Sequence, residues 1–146
     1  MRQILFFALI MGLTPIACKK LNTSCPTATS LDGTWRMVSV KDNTSGLITT
    51  KPATIQNDVD ITFTFTNQTT GSFTGNTPTN DIVKNDCSIG TNQTITIPAL
   101  AMTKVAETSW GILFVDNIRA SREYNFGTGG LLNITTTNKT LSFRKL

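Results

Sequence analysis

A chain of 146 residues, 39% hydrophobic and 15% charged, is sized for one domain around one core and is not a candidate for charge-driven disorder. It contains no histidine, which removes the commonest general base and metal ligand, and its net charge of +4 is too small and too dispersed to point to nucleic acid. The polar load lies in 27 Thr and 12 Asn, residue types suited to strands and turns.

Arg2 supplies a minimal positive start, and the apolar run from Ile4 to Leu13 is too short to span a membrane but right for the core of a signal peptide. The run breaks at Thr14-Pro15 and closes as Pro15-Ile16-Ala17-Cys18, which resembles a bacterial lipobox with Pro15 where Leu is usual. The expectation is a signal peptide over 1–17 and a diacylglyceryl-modified Cys18 at the start of the mature chain. Removal of residues 1–17, with the charge of Arg2, leaves 129 residues and a net charge of +3. Lys19 and Lys20 follow the anchor and either add about 1 kcal/mol each of attraction to anionic head groups or serve as a solvated tether. Residues 18–30 then read as the anchor cysteine and a flexible spacer. The membrane is thus the expected partner through Cys18, and the cell envelope, outer membrane facing the periplasm, is the expected location.

Setting Cys18 aside leaves Cys25 and Cys87. In an oxidising envelope they either form a disulfide, contributing roughly 4 kcal/mol on a loop-entropy account, or stay as two small buried thiols. No Cys-x-x-Cys or Cys/His grouping occurs, so the sequence implies neither a metal nor a cofactor.

The domain is expected to begin at Leu31. A first strand is predicted over 33–40, ended by the turn cluster Asp42-Asn43-Thr44-Ser45-Gly46. From Val59 to Thr66 apolar and polar residues alternate, which places Val59, Ile61, Phe63 and Phe65 on one buried face. A turn at 67–71 leads to a paired strand over 72–75, and short strands are predicted at 82–84, 87–89 and 94–97, where Pro98 stops the last. Over 104–119 the period becomes helical, with Ala106, Trp110, Leu113, Phe114 and Ile118 on one face and Gly111 weakening the helix by about 1 kcal/mol. Tyr124 and Phe126 alternate next, and strands at 131–136 and 140–144 form a closing hairpin around 137–139. The pattern predicts an α+β fold, an antiparallel sheet or partly open barrel of seven to eight short strands with one packed helix.

The order of LDGTWRMVSV at 31–40, an FTF strand at 63–65, GSFTGNTPTN at 71–80, IPALAMT at 97–103, an aromatic helix and a terminal hairpin ending LSF at 141–143 resembles the META domain (heat-shock protein HslJ-like). The resemblance spans 31–146. Where that family usually has Cys-Asn this chain has Thr79-Asn80, and no cysteine follows Met102, so the family's local cysteine arrangement does not carry over. The resemblance implies a small envelope-anchored domain with stress- or secretion-related roles and no catalytic residues. Its partner would be an envelope protein of unspecified identity. Gly33 and Trp35 also resemble the Gly-x-Trp opening of lipocalin-like domains, which implies the alternative of a barrel carrying a small apolar ligand against Trp35, Phe63 and Phe65. Otherwise Trp35, Phe63, Phe65, Trp110 and Phe114 are core anchors.

Asp58 and Asp60, at i and i+2, lie on one side of a strand and read as its solvated side. Asn76, Asn80, Asp81, Asn85 and Asp86 cluster oxygens without EF-hand spacing and read as turn and capping residues. The abundant hydroxyls have no partner base in view, so a noncatalytic module is expected.

Overall fold

The computed structural model describes residues 30–146. The predicted signal peptide over 1–17, Cys18, Lys19, Lys20, the remainder of the spacer and Cys25 lie outside the described residues. In chain order the elements are β1 (Gly33–Asp42), β2 (Ile48–Thr50), β3 (Asp60–Phe65), β4 (Thr70–Asn76), β5 (Asp81–Ile89), β6 (Ile95–Thr96), α1 (Ser109–Ile118), β7 (Glu123–Phe126), β8 (Leu132–Thr135) and β9 (Lys139–Lys145). Every pairing is antiparallel, in the order β6-β5-β4-β3-β1-β9-β8-β7, with β2 added beside β1. The two ends of that order approach each other, because Ile95 N–H donates to Arg122 O at 2.9 Å and Thr94 bridges Glu123. The result is the expected α+β architecture, a nearly closed antiparallel barrel with a single helix among the described residues.

Strand alternation aims one side chain in two at the interior. Trp35, Met37 and Val40 of β1, Ile61 and Phe63 of β3, Phe73 of β4, Leu132 and Ile134 of β8, and Leu141 and Phe143 of β9 are all buried. Trp110, Phe114 and Ile118 of α1 join the same cluster, with Phe65 and Leu113 partly buried against it. The helical stripe and the alternating strand therefore share one core. An eight-strand circuit leaves an interior about wide enough for side chains to fill. No helix among the described residues is long and apolar enough to cross a membrane.

The predicted turns form by side-chain acceptance of backbone N–H groups. Asn67 Oδ1 takes Thr69 N at 2.9 Å and Thr70 N at 2.8 Å between β3 and β4, and Thr136 Oγ1 takes Lys139 N at 2.9 Å between β8 and β9. Three boundaries differ from the sequence pattern. The nine strands include the unanticipated β2, a short exposed strand that follows the Asp42–Gly46 turn back along β1. The strands predicted at 82–84 and 87–89 are one strand, β5, because buried Asn85 bonds the Ala101 backbone through both ends of its amide, at 2.5 and 3.2 Å. The helix begins at Ser109 rather than near 104, so Ala106 lies outside it and is exposed. Asn80 explains that delay by accepting from Val105 N at 2.7 Å and donating to Val105 O at 2.9 Å, which holds this residue against the turn at 77–80 and withdraws its carbonyl from a helical ladder.

Candidate functional site

Inward Trp35 and Met37 force Arg36 outward, and inward Ile61 does the same to Asp60. Register then sets Arg36 opposite Asp60, Asp60 opposite Asn76, and Asn76 opposite Asp81, a polar row across β1, β3, β4 and β5. Arg36 grips Asp60 with two bonds, Nε to Oδ1 at 2.8 Å and Nη2 to Oδ2 at 2.7 Å, and its Nη1 reaches Asp58 at 3.0 Å. Lys51 completes the group with a 2.5 Å contact to Asp58. The bond to Asp60 chiefly raises the Arg36 pKa above its usual value, so this guanidinium is a permanent cation.

Two turns wall this row. Asn57 Nδ2 donates to Pro78 O and Asn76 Nδ2 to Asp58 O, both at 3.0 Å, tying the segment before β3 to the turn between β4 and β5. Between them opens a cleft of about 490 Å³ lined by Arg36, Gln56, Asn57, Asp58, Asp60 and residues 76–81. Apart from Pro78 every lining side chain is polar.

The far wall is fixed from behind by Glu107. Its carboxylate accepts from Thr77 Oγ1, from Thr79 Oγ1 at 2.9 Å, from Asn80 Nδ2 at 3.0 Å and from Thr108 N at 2.9 Å. Burial opposes ionisation of this carboxyl, but the bonds from Thr77, Asn80, Thr108 and Thr79 together outweigh it and hold the pKa below the ordinary range. Thr108 caps α1 by accepting from Gly111 N at 3.1 Å. A Cβ on Gly111 would stand 2.2 Å from the Glu107 carboxyl, so this glycine makes room for the carboxylate at the positive end of the helix. Thr77 and Asn80 are buried and satisfied within this network.

The residues singled out in the sequence separate. Asp58 and Asp60 come together as read, but half-buried and paired to Arg36 and Lys51 rather than free in solvent. Asn76, Asn80 and Asn85 act as turn and backbone clasps, and among the described residues no group of three His, Cys, Asp or Glu is placed to hold a metal ion. Trp35, Phe63, Trp110 and Phe114 are fully buried in the core. Trp35 Nε1 donates to Leu31 O at 2.8 Å, its ring stacks on Phe126, and the Lys145 ammonium lies 5.3 Å from the ring centre. Phe65 lines a crevice of about 500 Å³ at the other end of β3, with Leu31, Ile89 and Tyr124. Cys87 is buried and its thiol is pushed up to about 11 by desolvation, with a smaller push from Asp86. Sequence reasoning missed Arg36 and Glu107. Alternation could have marked Arg36 as outward beside an acid-bearing strand, whereas Glu107 carries no local signal.

No protein-family model matches the sequence, and no curated protein matches it. Among solved structures the chain is similar to an NMR structure of a protein from Burkholderia xenovorans, at 14% identity over 79% of this chain and 82% of that one, with a TM-score of 0.59. At that identity the likeness is one of fold.

Proposed function

We propose that the chain is an envelope lipoprotein, anchored through Cys18 to the outer membrane and facing the periplasm. Its META-like domain over 31–146 acts as a noncatalytic structural or protein-interaction module linked to envelope stress or secretion. The observation that carries this reading is the filled interior: Trp35, Phe63, Trp110 and Phe114 are each at most 1% exposed, so the residues that a carrier would turn toward a ligand are spent on the core. Intact-mass measurement of the membrane fraction tests the anchor, which requires loss of residues 1–17 and added acyl mass. A soluble, unmodified product from a lipoprotein-competent host overturns it.

The second reading, a lipocalin-like carrier, draws support from the crevice at Phe65, Leu31, Ile89 and Tyr124, since barrel mouths are common ligand sites. Native mass spectrometry separates the two. The module emerges as bare protein, whereas a stoichiometric copurifying lipid assigns the carrier role.

A further inference from the structure

We propose that the cleft between the segment 56–60 and the turn 76–81 binds a neutral, polyhydroxylated ligand, a short saccharide. This goes beyond the module reading and does not depend on the anchor. A volume of about 490 Å³ lies within the roughly 300–1,000 Å³ of small-ligand sites. Its wall chemistry argues against apolar, anionic and metal ligands in turn. An apolar ligand finds no apolar side chain beyond Pro78. An anion meets three carboxylates, those of Asp58, Asp60 and Asp81, against one guanidinium already gripped by two of them. A metal cation meets two carboxylates committed to Arg36 and Lys51 and only that of Asp81 unpaired, in a molecule whose described residues place no three metal-ligating side chains together.

What the cleft does offer is a mixed set of donors and acceptors with capacity left over. The Asp81 carboxylate and the Gln56 amide have no side-chain partner among the described residues, and Asn57 and Asn76 spend their N–H groups on Pro78 O and Asp58 O but keep their amide oxygens. Arg36 uses three of its five N–H groups and retains two. A sugar hydroxyl gives one hydrogen bond and takes others, so a wall that alternates carboxylate, amide and guanidinium suits vicinal hydroxyls. Unpaired acceptors beside retained donors are what such a ligand requires. The walls are also set in advance: Thr77 and Asn80 are buried at 3% and 4% exposure and locked by Glu107, so binding orders little new structure.

The test is an NMR titration of the full chain in detergent micelles with chitotriose and, separately, maltotriose, in the presence of EDTA. The expected result is saturable shifts of the Asn57, Asn76 and Gln56 side-chain amides below about 10 mM ligand. Asp81→Ala and Gln56→Ala, both at exposed positions, should keep the dispersed spectrum and weaken binding about tenfold each, while Thr64→Ala near the opposite end of β3 should leave it unchanged. The proposal is overturned by an absence of shifts with both sugars, by shifts that persist unweakened in both variants, or by binding that appears only when calcium replaces EDTA.

Discussion

A glycine near the start of a helix costs about 1 kcal/mol in propensity, and Gly111 stands there because an alanine methyl would collide with the Glu107 carboxyl 2.2 Å away. Two effects therefore compete when Gly111→Ala is made. Helix propensity favours it, but displacing Glu107 breaks bonds to Thr77, Thr79, Asn80 and Thr108, at about 1 kcal/mol or more for each buried partner left unpaired. The wild-type background should thus lose about 1–3 kcal/mol with Gly111→Ala, while in a Glu107→Ala background the same change should be neutral or stabilise by up to about 1 kcal/mol. Urea denaturation of the four proteins measures this coupling, and additive effects would show that the glycine is there for another reason. The sequence displays the propensity cost at Gly111 and conceals its compensation, because Glu107 meets residues 77–80 only through tertiary folding. Gly75 is a second case, since its φ of +154° and the Asp60 carbonyl 2.0 Å from a would-be Cβ are products of cross-strand register. Gly75→Ala should prevent β4 from closing on β3, seen as loss of the folded spectrum.

Among elements, α1 and β3 were readable because each carries a period that only one kind of secondary structure satisfies. Trp110, Phe114 and Ile118 recur as a helical stripe, Val59, Ile61 and Phe63 as an alternating face, and all six are buried together. Phe114→Ala should destabilise the domain by about 3–5 kcal/mol, whereas Thr64→Ala, on an exposed strand position, should change it by less than about 0.5 kcal/mol. Equal denaturation midpoints for the two variants would remove the helix from the core. The elements that misled have little period of their own. β2 is three exposed residues that pair only because the Asp42–Gly46 turn returns them to β1, and β5 runs through Asn85 only because Ala101 satisfies its amide. The polar cleft was half legible: Asp58 and Asp60 announced a shared side by spacing, but the arginine that joins them is 24 residues from Asp60 and is supplied by register.

For the whole molecule, acid should be the weak side of the pH–stability curve. Glu107 has a lowered carboxyl pKa, and so does Asp42, held down first by the Lys139 ammonium and then by the Ser45 and Thr44 N–H groups. A carboxylate whose folded pKa lies below its unfolded one adds stability that is complete above the unfolded value, near 4.5 for Glu107 and 3.8 for Asp42, and is lost as pH falls through the folded value. Thermal midpoints should therefore be flat from neutrality to about pH 5 and decline below about pH 4. Glu107→Gln should lower the neutral plateau and flatten that decline, and an unchanged slope in this variant would remove Glu107 from the linkage.

The strand order also governs when the fold can form. β1 is the first strand, yet its longest pairing is with β9, the last, through contacts from Trp35–Lys145 to Asp42–Lys139. One of the two hydrogen-bonding edges of β1 thus has no partner, and the circuit cannot be completed, until residues 139–145 join it. Loop closure on that scale is slow and of high contact order, which predicts refolding on the millisecond-to-second scale or slower. A chain stopped at Asn138 should be collapsed with the β9-facing edges of β1 and β8 left open, sensitive to protease and prone to edge-to-edge association through β1. The molecule is therefore at its most vulnerable until residues 139–145 have paired with β1.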